Sequence, residues 1–127
     1  MPFISVPANF ITTKPRVASL QQLSAVSTTY YTVLDATGAG RLTYANIYAD
    51  TFITATNMNI RITIDGVANT LQAPLHAPVG YLASSGLNAN KFDYFTDIQF
   101  NTTLKVEIMQ NTGSAANIYG AVHYSLI

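Results

Sequence analysis

A chain of 127 residues with one uniform composition is the size of a single domain and can bury a real core. Only 9% of its residues are charged, six basic against six acidic, where soluble domains usually carry about 25%. The zero net charge argues against a nucleic-acid or polybasic membrane partner, and the lack of cysteine excludes disulfides, thiolate nucleophiles and Cys-ligated zinc.

The polar surface must therefore come from Thr, Asn, Ser, Gln and Tyr. A surface so poor in charge has little protection against association, so much of it is expected to be covered by a partner. The plainer reading is a low-charge β-domain. No stretch approaches the ~18 apolar residues of a membrane span. The opening residues lack the basic and apolar regions of a secretory signal, and none is expected.

Residues 1–26 read as an extended N-terminal arm. Pro2, Pro7 and Pro15 oppose helix and central strand, yet Phe3, Ile4, Val6, Phe10, Ile11 and Val17 lie between them. Side chains that apolar need a surface to lie on, either the arm's own domain or a neighbouring subunit. Phe3, Ile4, Phe10 and Ile11, with the arm's two charges Lys14 and Arg16, are the candidate interface residues. Leu20, Leu23 and Val26, at spacing three, predict a single helical turn over residues 19–26.

From Ser27 onward strands are expected. Residues 27–35 are rich in Thr, Tyr and Val. Thr37-Gly38-Ala39-Gly40 predicts a turn, with residues 41–50 as the return strand. Residues 59–65 alternate cleanly, Ile60, Ile62 and Ile64 on one face against Asn59, Arg61, Thr63 and Asp65 on the other. Asp65-Gly66 is a hairpin signal that pairs this strand with residues 67–72. Residues 74–90, with two prolines and two glycines, read as a long loop. Residues 92–100 and 103–110 follow as strands, the second with Leu104, Val106 and Ile108 inward. After a turn-rich link, residues 118–127 close the chain with Ile118, Val122, Tyr124 and Leu126 on one face. Seven strands and no long helical pattern predict an all-β fold: a single antiparallel β-sandwich over residues 27–127, jelly-roll-like because long loops suit crossings between sheets.

Chemistry is sparse. His76 sits between Pro74 and Pro78, and His123 alternates onto the outer face of the last strand; no metal-ligand spacing joins them. Asp93 and Asp97 share a strand face but stand about 13 Å apart, too far for a glycosidase pair. Asp35, Asp50 and Asp65 suit turns. Asn101-Thr102-Thr103 matches the glycosylation pattern, which arises easily by chance in a chain rich in Asn and Thr. No catalytic, cofactor-binding or metal residue is expected, and no enzyme. Eight tyrosines and six phenylalanines remain as binding material, Tyr30 and Tyr31 on opposite faces, Tyr44 and Tyr48 on one.

Thr37-Gly38-Ala39-Gly40-Arg41-Leu42, Asn46-Ile47-Tyr48 and Asn59-Ile60-Arg61-Ile62-Thr63-Ile64-Asp65-Gly66 resemble small β-sandwich modules in virion structural proteins of tailed bacteriophages. Capsid decoration or cement proteins, head fibres and tail appendages are of this kind. The resemblance covers residues 28–72 as a pattern of turns and strands and transfers no functional residue. It implies a virion location, with assembly in the host cytoplasm, and partners among other virion proteins and sister subunits as a homo-oligomer. The competing expectation is a carbohydrate- or receptor-binding module whose tyrosines stack on a glycan.

Overall fold

The computed structural model describes residues 14–49, 57–72 and 91–127. Those residues form eight strands and no α-helix: β1 (Lys14–Ala25), β2 (Tyr31–Thr37), β3 (Gly40–Ala49), β4 (Met58–Ile64), β5 (Val67–Gln72), β6 (Lys91–Phe100), β7 (Thr103–Gln110) and β8 (Ala116–Leu126). They make two four-stranded sheets, β1-β8-β3-β6 and β2-β7-β4-β5, with every pairing antiparallel. The pairs β1–β8, β2–β7, β3–β6 and β4–β5 nest inside one another, so the expected jelly-roll-like sandwich is the fold observed.

Period-two alternation builds the core. Leu42, Ile47, Phe92, Phe100, Ile118 and Val122 of the first sheet are fully buried against Met58, Ile60, Leu104, Val106 and Ile108 of the second. Each such side chain contributes about 1.5–3 kcal/mol when withdrawn from water, an upper figure because the unfolded chain already hides some area. Buried Gln110 keeps its amide fully engaged. Its Nε2 donates to the Ala25 and Ser114 carbonyls at 2.9 and 2.8 Å, and its Oε1 accepts from Thr112 N and Oγ1 at 2.8 and 2.7 Å. One side chain thus ties the β7–β8 turn to the end of β1.

The hairpin at Asp65-Gly66 forms as its residues require. Both central residues have positive φ, 50° and 86°, as a tight primed turn demands, and Ile64 faces Val67 across it. Arg61, on the solvent side of β4, makes a bidentate pair to Glu107 of β7 at 2.9 and 3.0 Å, with the Tyr30 ring 3.8 Å from its guanidinium carbon. Tyr30 thus lies on the outer side, while Tyr31 packs against the core.

Three expectations are corrected. Residues 19–26 make no helical turn; they lie within or directly after β1, an edge strand with Pro15 near its start, where a missing N–H leaves no central ladder broken. The boundary between arm and sandwich therefore does not fall at Val26, because residues 14–25 pair with β8 as an eighth strand. Thr37-Gly38-Ala39-Gly40 does not fold a paired hairpin. It carries the chain from β2 in one sheet to β3 in the other, with Gly38 at φ 127°. Phe3, Ile4, Phe10, Ile11, Asp50, His76 and the expected loop over residues 74–90 lie outside the described residues.

Candidate functional site: the outer face of the β1-β8-β3-β6 sheet

The local event that shapes this face is a bulge. Register shifts between Leu42 and Tyr44 against both β6 and β8, and the Thr43 hydroxyl donates to the His123 carbonyl at 3.1 Å. Leu42 is buried on the inner side, and after the bulge Ala45, Ile47 and Ala49 are buried. Uninterrupted alternation from Leu42 would have sent Tyr44 and Tyr48 into the core; the inserted residue turns both outward.

Three rows of side chains then cross all four strands. Val17, His123, Tyr44 and Phe95 are aligned in the first, Ser19, Ala121, Asn46 and Asp93 in the second, and Gln21, Tyr119, Tyr48 and Lys91 in the third. The first row is a ridge of rings. Tyr44 lies 4.9 Å from both Phe95 and His123, centroid to centroid, in tilted contacts. Its two ends stay open, with Val17 67% and Phe95 65% exposed. In the third row Tyr48 and Tyr119 sit 5.7 Å apart. The small and polar second row forms the floor between them, and residues of the three rows line an open depression of about 680 Å3.

Asp93 and Asn46 of this floor already have partners. The Tyr44 hydroxyl donates to Asp93 Oδ1, and Lys91 Nζ lies 3.1 Å from Asp93 Oδ2. Asn46 Oδ1 accepts the Ala121 N–H at 2.8 Å. Burial first, and the Asp93 hydrogen bond second, push the Tyr44 hydroxyl well above its ordinary pKa, so it remains a donor. Asp97 is held separately by Arg41 at 2.7 Å, and that guanidinium keeps its carboxyl below the usual carboxylate range. The two carboxylates of β6 have different basic partners and do not act as a pair. What the face presents to solvent is ring surface, at Phe95 and Tyr48 above all. Among the described residues no three His, Asp or Glu side chains converge as a metal site would require.

The sequence expectation that Tyr44 and Tyr48 share a face holds, and His123 lies outward as expected. Val17, Phe95 and Tyr119 were missed as members of the same surface. Their alternation was visible, but which strands are neighbours was not. Of the candidate interface residues, Lys14 and Arg16 are exposed on β1 opposite Leu126 and Tyr124 of β8, at the open edge of this sheet.

The sequence matches no protein-family model and no curated protein. Its likeness is in shape. A chain of the acid-stable capsid of the Helicobacter pylori bacteriophage KHP30 matches with a TM-score of 0.54 at 11% identity, over 88% of this chain and 87% of that one. The two share a fold. Weaker likenesses are to a chain of the cyanophage Pam1 capsid, TM-score 0.46 at 17% identity over 99% and 94% of the chains, and to the VP2 subviral particle of infectious bursal disease virus, TM-score 0.49 at 15% identity over 89% and 32%. The resemblance to virion β-sandwich proteins, first seen in residues 28–72, thus extends in fold to most of the chain.

Proposed function

We propose that this chain is a non-enzymatic virion structural protein, a phage capsid decoration or cement protein that works through contacts with other virion proteins and sister subunits. The observation that carries the reading is the aromatic face: rings on β3, β6 and β8 with Val17 of β1 beside them, over Asp93 and Asn46, which already have partners. Such a face gains from covering by another protein surface, since aromatic rings bury a large apolar area while the tyrosine hydroxyls can hydrogen-bond to the partner. The jelly-roll-like fold shared with a phage capsid chain supports the same reading. Lys14 and Arg16, at the start of β1, and Phe3, Ile4, Phe10 and Ile11 of the preceding segment would extend the contact. The protein would join the particle in the host cytoplasm without cofactor, metal, nucleic acid or membrane.

The test is attachment. Purified full-length chain is expected to co-sediment with particles at a fixed copy number, and Phe95→Asp, at an exposed position, is expected to weaken this strongly without lowering the melting temperature. Unchanged attachment of the variant would overturn the role of the face.

A second reading, a glycan- or receptor-binding module of a tail or fibre, draws on the open depression where Phe95 stands beside Asp93 and Lys91. Binding of free glycans by the isolated chain, abolished by Tyr44→Ala, would favour it.

A further inference from the structure

The edges of the two sheets are not alike. β6 presents Lys91, Asp93 and Asp97 along its length, β2 is seven residues long with Asp35 and a register shift, and β5 has six residues. Charges, bulges and shortness are the usual devices that stop an edge from pairing with another chain. β1 is twelve residues long and, among the described residues, pairs only with β8. Its guards stand at its two ends: Lys14, Pro15 and Arg16 at the start, and a bulge between Gln22 and Ala25 at the finish, with Ser24 at φ 51°. Between them Val17-Ala18-Ser19-Leu20-Gln21-Gln22-Leu23 holds no charge, no proline and no glycine.

This stretch is also symmetric in character about Leu20. Val17 and Leu23, three residues to either side, are its two exposed large apolar side chains, at 67% and 55%. Ser19 and Gln21 are its exposed polar ones, while Ala18 and Leu20 pack partly on the core. An antiparallel pairing centred on Leu20 sets Val17 of one chain against Leu23 of the other, twice. It sets Ser19 against Gln21, and Leu20 against itself on the axis. Ala18 against Gln22 is the one unlike pair; the other side chains meet their own kind on the same side of the sheet, and a shift by one residue would set outward side chains against inward ones. Pro15 falls outside the paired stretch, and the bulge begins at its last residue, Leu23.

We propose that β1 pairs with β1 of a second copy of this chain about a twofold axis at Leu20, joining the two β1-β8-β3-β6 sheets into one of eight strands. Zero net charge sets no electrostatic barrier to the approach. The arrangement closes at two copies, because the remaining ends of the joined sheet are the charged β6 edges. This deepens the assembly reading above and rests on it for its purpose, but its tests use the purified chain alone. A monomer would overturn the pairing while leaving particle attachment to be decided by co-sedimentation.

The full chain should weigh as a dimer by light scattering or sedimentation. Val17→Lys with Leu23→Lys, both at exposed positions, places like charges opposite each other twice and should raise the dissociation constant by at least about tenfold, with the melting temperature of the monomer unchanged. Val17→Lys with Leu23→Glu places Lys opposite Glu in the same register and should restore the dimer. Because the chain has no cysteine, the register can be read directly. Residues facing each other across an antiparallel ladder are about 4.5–5.5 Å apart at Cα, within disulfide reach. An equal mixture of Ser19→Cys and Gln21→Cys chains should cross-link on mild oxidation into the mixed dimer, with little cross-linking of either alone. A monomer at high concentration overturns the proposal. So does an oligomer that ignores the lysine pair or leaves the mixed cysteines free, and so does failure of the Lys–Glu pair to restore a dimer that the lysine pair has broken.

Discussion

Asp65 is exposed, yet its carboxylate gathers a fan of donors from another part of the chain. Thr102 N donates at 2.7 Å, Asn101 N and Thr103 N at 3.0 and 3.1 Å, and the Thr102 hydroxyl at 3.0 Å. The hairpin residue therefore also caps the turn between β6 and β7, the point where the chain passes from one sheet to the other. From the sequence Asp65 is accounted for by its own turn alone, because a contact 37 residues away leaves no local signature. Hydrogen bonds from Thr102 and Thr103, the largest causes, hold its carboxyl at about 2, below the ordinary 3.8. Since the folded form binds this proton less tightly than the unfolded chain does, the contact stabilises fully above the unfolded value and is lost as pH falls from 3.8 towards 2. Asp65→Asn keeps a side chain that tolerates the left-handed backbone but loses the charge that the N–H groups face. It is expected to lower the melting temperature at neutral pH and to flatten its decline across that acid window. Melting curves for the two proteins that stay parallel down to pH 2 would show that the carboxylate adds nothing.

At the scale of elements, legibility followed burial. β4 and β7 were plain in the sequence because Ile60 and Ile62, and Leu104, Val106 and Ile108, face a core at every second position. β1 is not legible because, of its inward residues Ala18, Leu20 and Gln22, one is small, one is polar and all are only partly buried, so Leu20, Leu23 and Val26 at spacing three mimic a helix turn. The aromatic face was half legible: Tyr44 and Tyr48 lie on one strand, but the bulge at Thr43 and the neighbours β6 and β8 follow from sheet order alone. Two glycines carry a similar hidden meaning. Gly40, read as a turn residue, begins β3 so close to β8 that an added Cβ would fall 1.8 Å from the Ser125 carbonyl oxygen. At Gly120 a Cβ would meet Val33 Cγ2 at 2.7 Å and Ile108 Cδ1 at 3.0 Å, side chains of the opposite sheet. Gly120→Ala is expected to cost about 1–3 kcal/mol by overpacking, and Val33→Ala in the same chain should return part of that loss. Gly40→Ala should be the more damaging, with no side-chain partner able to rescue it, because the obstacle is backbone. Chemical denaturation of the parent chain and the four variants gives these differences, and additivity of Gly120→Ala with Val33→Ala would refute the close-packing account.

For the whole molecule, the boundary between sandwich and leading segment now decides which truncation is informative. Removing residues 1–26 would delete β1 with the buried Ala25, uncover the β8 edge and expose the part of the core that Ala18 and Leu20 cover, so loss of folding there would say nothing about assembly. Removing residues 1–13 leaves every described strand and its pairing partner in place. If those residues lie on a neighbouring subunit, the shortened chain is expected to melt at the temperature of the full one, within a degree or two, since it keeps every described strand of the core. If Phe3, Ile4, Phe10 and Ile11 lie on a neighbouring subunit, each contributes about 1.5–3 kcal/mol to attachment rather than to folding. Loss of even two of them should then weaken binding to the particle by two orders of magnitude or more, since about 1.4 kcal/mol is tenfold. Melting curves and particle co-sedimentation on the same two proteins separate the outcomes. A large fall in melting temperature would assign the segment to its own sandwich, while an unchanged melt with unchanged attachment would leave the aromatic face to hold the particle by itself.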